Sequence, residues 1–124
     1  MTIPQTPDAF TIERRGEVMV ISATPALETI AMGLEEQAAD LIFSRLKTFD
    51  DPLLVFDLSQ VDYFGSVFLA VLLRCWKMVK AKGGTMALSG VSTRAKELLH
   101  LTSLDFVWPI YADRREAVEA LSSE

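Results

Sequence analysis

The residues from Val55 to Lys80, VFDLSQVDYFGSVFLAVLLRCWKMVK, constrain the fold more than any other stretch of the chain. An apolar run suited to a strand buried on both faces passes through a short turn directly into an amphipathic helix. Ser66 stands at the hinge. Its hydroxyl there lies beside the first backbone N–H groups of the helix, which lack intrahelical partners. The same dipole therefore favours a side-chain cap, an anion or a phosphoryl group at this point.

Periodicity on either side completes an α/β pattern. Ala9 to Arg14 and Glu17 to Ala23 read as a hairpin with its corner at Arg15-Gly16, and Val18 and Val20 alternate as a half-buried strand requires. Thr24-Pro25 ends that strand. Leu34, Ala38, Leu41, Ile42 and Phe49 then recur at helical spacing among Glu35, Glu36, Asp40 and Lys47, giving a surface helix with one apolar stripe. After Asp50-Asp51-Pro52, Leu53 to Leu58 is the central strand, and a long helix follows from Ser66 to about Lys82. Gly83-Gly84 stops it and Thr85 to Gly90 is the next strand, so the unit is a right-handed crossover between parallel strands. With the hairpin, the sheet is mixed. Ser92 caps a helix ending near Leu101, with Arg94, Lys96 and Glu97 outward and Ala95, Leu98 and Leu99 inward. Phe106 to Tyr111 reads as a last strand, and Pro109 within it marks an edge or a strand end. Asp113 and Glu116 open a final helix through Ala117, Val118 and Leu121.

The expected organisation is one domain over residues 1–124, with its core at about 10–121 and flexible ends at 1–8 and 122–124; half of the residues are hydrophobic, enough for an ordinary core. A net charge of −5 leaves no basic field for nucleic acid. Cys75, the one cysteine, lies among apolar helix residues and reads as a small core residue in a reducing compartment. MTIPQTPDAF has no basic stretch followed by an apolar run, and no apolar segment reaches the ~20 residues needed to span a bilayer, so a cytoplasmic protein without membrane insertion is expected. His100 has no second ligand at metal spacing, and neither a Gly-x-Gly-x-x-Gly nor a Gly-Lys-Ser loop occurs. No metal, cofactor or catalytic dyad is expected, and the chain is not read as an enzyme. Asp57 and Asp62 are expected to bond loop amides. Trp76 reads as core and Trp108 as a strand residue.

The element order, with VFDLSQVDYFGSVFLAVLL, GGTMALSGVSTRAKELLHLTSLDFVWPIY and a short closing helix, resembles the STAS family, best known for bacterial anti-sigma factor antagonists. The likeness covers roughly residues 10–121. In that family the turn after the third strand reads as a hydrophobic–aromatic–hydrophobic lead-in, then Asp-Ser-Ser/Thr-Gly-Leu-Gly. Here Val61, Tyr63 and Phe64 match the lead-in, Ser66 falls on the phosphoacceptor serine and Leu69 on the leucine. Gly90-Val91-Ser92, Glu97-Leu98-Leu99 and Thr102-Ser103-Leu104 match a second block. The resemblance implies a STAS-like mixed sheet of four to five strands with about four helices. It also implies a regulator that binds a kinase-type anti-sigma factor and frees a sigma factor, the nucleotide being held by the partner. The chain departs from the pattern at Gly65, where the family has Asp, at Val67 for the second Ser/Thr and at Phe68 for the Gly. Ser22-Ala23-Thr24-Pro25 replaces the Gly-Glu-Leu-Asp-like signature. An Asp before the acceptor orients the hydroxyl or organises the metal and phosphates of a kinase, and glycine does neither.

Two readings of Ser66 stand side by side: an N-cap of the long helix, or a phosphoacceptor adding about −1.5 to −2 charges at a partner interface. On that helix Arg74, Lys77 and Ala81 share a polar arc opposite Phe68, Leu72, Cys75, Trp76 and Val79. Val67, Val71 and Met78 flank the arc, either as a core seam closed by a neighbouring helix or as a partner patch. Tyr63, Phe64, Gly65, Ser66, Val67, Val71 and Arg74 are the candidate partner-binding residues, with Ser66 as the candidate phosphorylation site. Other roles open to a STAS domain are an unphosphorylated scaffold in a signalling assembly, an accessory subunit of a transporter, or a small-ligand sensor.

Overall fold

The computed structural model describes residues 10–25 and 35–122. The described residues begin with a hairpin, β1 (Phe10–Arg15) and β2 (Val18–Ala23), closed at the Arg15–Val18 pair. Helix α1 (Glu35–Leu46), β3 (Leu53–Asp57), α2 (Ser66–Ala81), β4 (Thr85–Ser89) and α3 (Thr93–Leu101) follow. A 3-10 turn at Leu104–Phe106, β5 (Ile110–Tyr111) and α4 (Arg114–Ser122) complete the described elements. The five strands lie side by side in chain order, β1 antiparallel to β2 and the other pairs parallel, so the sheet is mixed as expected. The anticipated flexible segment at 1–8 lies outside the described residues, as do Ala9, Leu34 and 123–124, while Ser122 closes α4.

Strand alternation sorts the side chains onto two faces. Met19, Ile21 and Ala23 of β2, Leu54 and Phe56 of β3, and Met86 and Leu88 of β4 pack against α1, α2 and α3. Val18, Val20, Val55 and Ala87 point the other way, onto Ala117 and Leu121 of α4. All of β2 is therefore buried, although its sequence alternates like a strand with one wet face. Helix α2 contributes Phe68, Leu72, Cys75 and Val79 to the larger core. Burying a side chain of Leu72's size contributes about 1.5–3 kcal/mol.

Gly83 and Gly84 stop α2 as the sequence predicts. Gly83 adopts φ +78, and the amide of Gly84 donates back to the Val79 carbonyl at 2.8 Å. The last strand is shorter than expected. Ser103 takes a left-handed conformation (φ 62), and Val107 and Trp108 both donate to the Leu104 carbonyl, which winds this stretch into a turn. That turn swings Trp108 inward, edge-on to Trp76 at 6.5 Å between ring centroids, so Trp108 is a core residue ahead of the strand and not part of it. Phe106, expected in the strand, is exposed in the 3-10 turn. Helix α1 ends at Leu46, so Phe49 lies beyond it, under the Arg14 guanidinium at 4.6 Å.

Candidate functional site

The parallel strands β3 and β4 end at the same edge, and the turns that follow them are joined into one surface. At the end of β3 the buried carboxylate of Asp57 accepts from Ser89 Oγ at 2.8 Å and from Ser59 Oγ at 2.8 Å. Hydroxyls, and not the expected loop amides, satisfy it because the parallel register sets Ser89 beside it on β4 and Ser59 reaches back from two residues on, while Ser22 stands opposite it on β2. Ser22 in turn accepts from Arg114 of α4 at 3.2 Å, and Arg114 lies 3.6 Å from Glu13. The amide of Leu58 donates to the Ser89 carbonyl. Gly90, at φ +64, presses so closely on Ser59 that a Cβ there would stand 2.8 Å from the Ser59 Cβ.

Further along, Ser92 caps α3 by accepting from the Ala95 amide at 3.1 Å, while its own hydroxyl donates to the Asp62 carbonyl. The Asp62 carboxylate pairs with Arg94 at 3.0 Å, and the Arg94 guanidinium lies 4.8 Å above the ring of Tyr63. Both members of the ion pair are well exposed, so it orders the surface more than it stabilises the fold. Val61 and Phe64 anchor the turn from below. Phe64 packs edge-on against Phe68 at 5.0 Å, and Phe68 against Phe56 at 6.1 Å.

With Phe64 turned inward, Gly65 and Ser66 come out on top. Gly65 is the N-cap of α2, extended at φ −106 and ψ −162, and its carbonyl accepts from the Leu69 amide at 3.1 Å. Ser66 is already helical, which overturns the capping reading: a cap hydroxyl must sit on the last extended residue, and Gly65 holds that place. Ser66 is exposed, and its hydroxyl makes no hydrogen bond among the described residues. The first turn carries no acidic side chain, leaving the positive end of the helix uncompensated.

The candidate residues separate by depth. Tyr63 is 40% exposed, Gly65, Ser66 and Arg74 are exposed, and Val67 is half-buried. Phe64 at 1% and Val71 at 0% are core residues and present nothing to a partner. Val71 fails as a surface candidate because α1 lies along that flank of α2 with Ile42 and Leu46 in the shared core, which is the closed seam weighed as the alternative. Ser59, Ser92 and Arg94 belong to this surface although they stood outside the candidate set. Ser92 was readable as a cap, whereas Arg94 reaches Tyr63 and Asp62 only because the two turns meet in space. Burial pushes the Cys75 thiol up to about 12, so it stays protonated and unreactive in the core. His100 pairs with Asp105 at 3.0 Å on the surface. Among the described residues no group of three His, Cys, Asp or Glu side chains is placed to hold a metal, and no helix is long and apolar enough to cross a membrane.

The model of the STAS domain matches residues 1–117. The chain is 30% identical over 117 residues to an anti-sigma-B factor antagonist of Bacillus subtilis (strain 168), covering 94% of each protein. Its structure is similar to that of an anti-sigma-factor antagonist (STAS) domain protein from Planctomyces limnophilus, with 31% identity, a TM-score of 0.81 and coverage of 91% of this chain and 97% of that one. An anti-sigma factor antagonist from Mycobacterium paratuberculosis is 29% identical, with a TM-score of 0.62 and coverage of 96% and 99%.

Proposed function

Because this chain belongs to the STAS domain family, we propose that it is a non-catalytic anti-sigma factor antagonist. In this role it binds a kinase-type anti-sigma factor through the surface around Ser66, and phosphorylation of Ser66 weakens the complex. The relatives named as antagonists support the general role. One observation carries the assignment to Ser66: its hydroxyl is exposed and unspent at the mouth of α2, since Gly65 takes over the capping position.

The mechanism is a change of partner and not a change of fold. A phosphate on Ser66 adds about −1.5 to −2 charges beside helix amides that lack partners, a place where anions are tolerated. The free protein therefore keeps its structure. In a complex the same charge has to be desolvated or set against the partner, and the interface loses affinity. Tyr63 and Arg94, stacked and exposed beside Ser66, are residue types that often dominate binding energy. A cytoplasmic setting goes with this role.

The test is direct. Incubation with the anti-sigma factor and ATP, followed by mass spectrometry, should find phosphate on Ser66 and none in Ser66→Ala. Ser66→Asp should weaken the complex at least tenfold, about 1.4 kcal/mol. A complex that forms normally yet leaves Ser66 unmodified would favour the second reading, an unphosphorylated scaffold. That reading draws on Gly65, which stands where the family's Asp would prepare the serine for a kinase.

A further inference from the structure

Helix α2 carries an unusual charge for this chain. From Ser66 to Ala81 it contains Arg74, Lys77 and Lys80 and not one acidic residue, in a protein of net charge −5. At 3.6 residues per turn, Ser66, Ala70, Leu73, Arg74, Lys77 and Lys80 fall within about 120° of one another, so the cations and Ser66 share one side of the helix. That side is not uniformly polar. Phe43 of α1 joins Ala70, Leu73, Arg74, Lys77 and Met78 of α2 around an open groove of about 600 Å³ between the two helices. Phe43, Leu73 and Met78 form its half-buried apolar floor. Arg74 already has a partner within the chain, whereas Lys77 and Lys80 have no carboxylate at ion-pair distance among the described residues. The groove starts one turn below Ser66, at Ala70.

We infer that this groove is a docking surface for an acidic amphipathic helix of a protein partner. The inference rests on the reading above that the chain works by binding another protein, and it adds the chemistry of what is bound. An apolar floor edged by Arg74 and Lys77, with Lys80 nearly one turn further along α2, fits a helix that presents leucine-like residues at i, i+3 and i+4 with glutamate or aspartate beside them. Charge selects the occupant. The acidic remainder of the chain repels nucleic acid and anionic lipid, while Lys77 and Lys80 attract a carboxylate locally. The same arrangement explains the sign of the switch, since a phosphate on Ser66 would place negative charge at the head of the face that an acidic helix occupies.

The probe is a designed helical peptide with leucines on one face and glutamates flanking them, titrated into the intact protein by fluorescence anisotropy. Its counterpart with lysine for each glutamate serves as comparison. The acidic peptide should bind at least tenfold more tightly than the basic one and weaken as salt is raised. Lys77→Glu should cut its affinity at least tenfold, and Lys96→Glu on the exposed side of α3 should leave it unchanged. Thermal melts of both variants should match the parent, so that a lost affinity is not lost structure. Equal affinity for the two peptides, no binding of the acidic one, or indifference to Lys77→Glu would overturn the inference. Binding of the peptide by a protein that forms no complex with an anti-sigma factor would retire the functional reading and keep the groove. An anti-sigma complex in a protein that ignores the peptide would do the reverse.

Discussion

Ser92 and Ser66 occupy corresponding places, each at the mouth of a helix that follows a parallel strand, at the same edge of the sheet. Ser92 has both sides of its hydroxyl engaged, accepting from the Ala95 amide and donating to the Asp62 carbonyl. Ser66 has neither, because the chain enters α2 one residue earlier with Gly65 at the cap. The difference separates two uses of one residue type. Where the serine is the last extended residue, it is part of the scaffold. Where it is the first helical residue, its hydroxyl is left exposed and unbonded.

The contrast depends on the two turns being locked together, and the largest expected effect comes from unlocking them. Gly90→Ala forces a side chain onto a left-handed backbone and onto Ser59, so it should cost about 2 kcal/mol or more in urea unfolding. An unchanged midpoint would mean that the turns are not coupled as described. Next in size is the comparison itself. Ser92→Ala should lose about 1 kcal/mol with its cap, whereas Ser66→Ala should stay within about 0.5 kcal/mol of the parent. Equal losses in the two variants would erase the distinction between scaffold and free hydroxyl. The smallest effect sharpens it: Gly65→Asp finds no atom within 4 Å of its new Cβ and an extended backbone that suits a capping carboxylate. It should raise stability by a few tenths of a kcal/mol, roughly 0.3. It should also speed phosphorylation of Ser66 if the anti-sigma factor is the kinase proposed, which a time course of phosphate incorporation would follow.

Local patterns carried much of this far. The Ser92 cap was readable from spacing, and so was the start of α4, where Asp113 accepts from the Glu116 amide at 2.9 Å and Glu116 reaches back to the Ala112 amide at 3.0 Å. These are contacts within one turn of chain, so neighbouring residues specify them. The cap of α2, one of the two readings open for Ser66, falls one position earlier, on Gly65, because boundary geometry, not composition, decides which residue is the last extended one. Val71 could not be assigned from a helical wheel, since the wheel separates wet from dry only when it is known where the next helix lies. The Asp57 cluster was out of reach for the same reason. Ser22, Asp57, Ser89 and Arg114 are distant in sequence and meet only through the register of three parallel strands and the docking of α4.

The strand order has a further consequence, for how the protein comes to be folded. Each strand pairs with its neighbour in the chain, from β1 through β5, so no pairing has to wait for a distant segment. Each closure joins strands that are consecutive in the chain, and loop-closure entropy rises only slowly with the length between them. Crossovers between parallel strands are nonetheless slower to close than a hairpin, and their edges stay open to aggregation while they form. On a ribosome the sheet could extend strand by strand as the chain emerges, with Val18, Val20, Val55 and Ala87 left open until α4, which follows all five strands, closes over them. That interval, between a finished sheet and a covered one, is when the nascent protein is most exposed to aggregation.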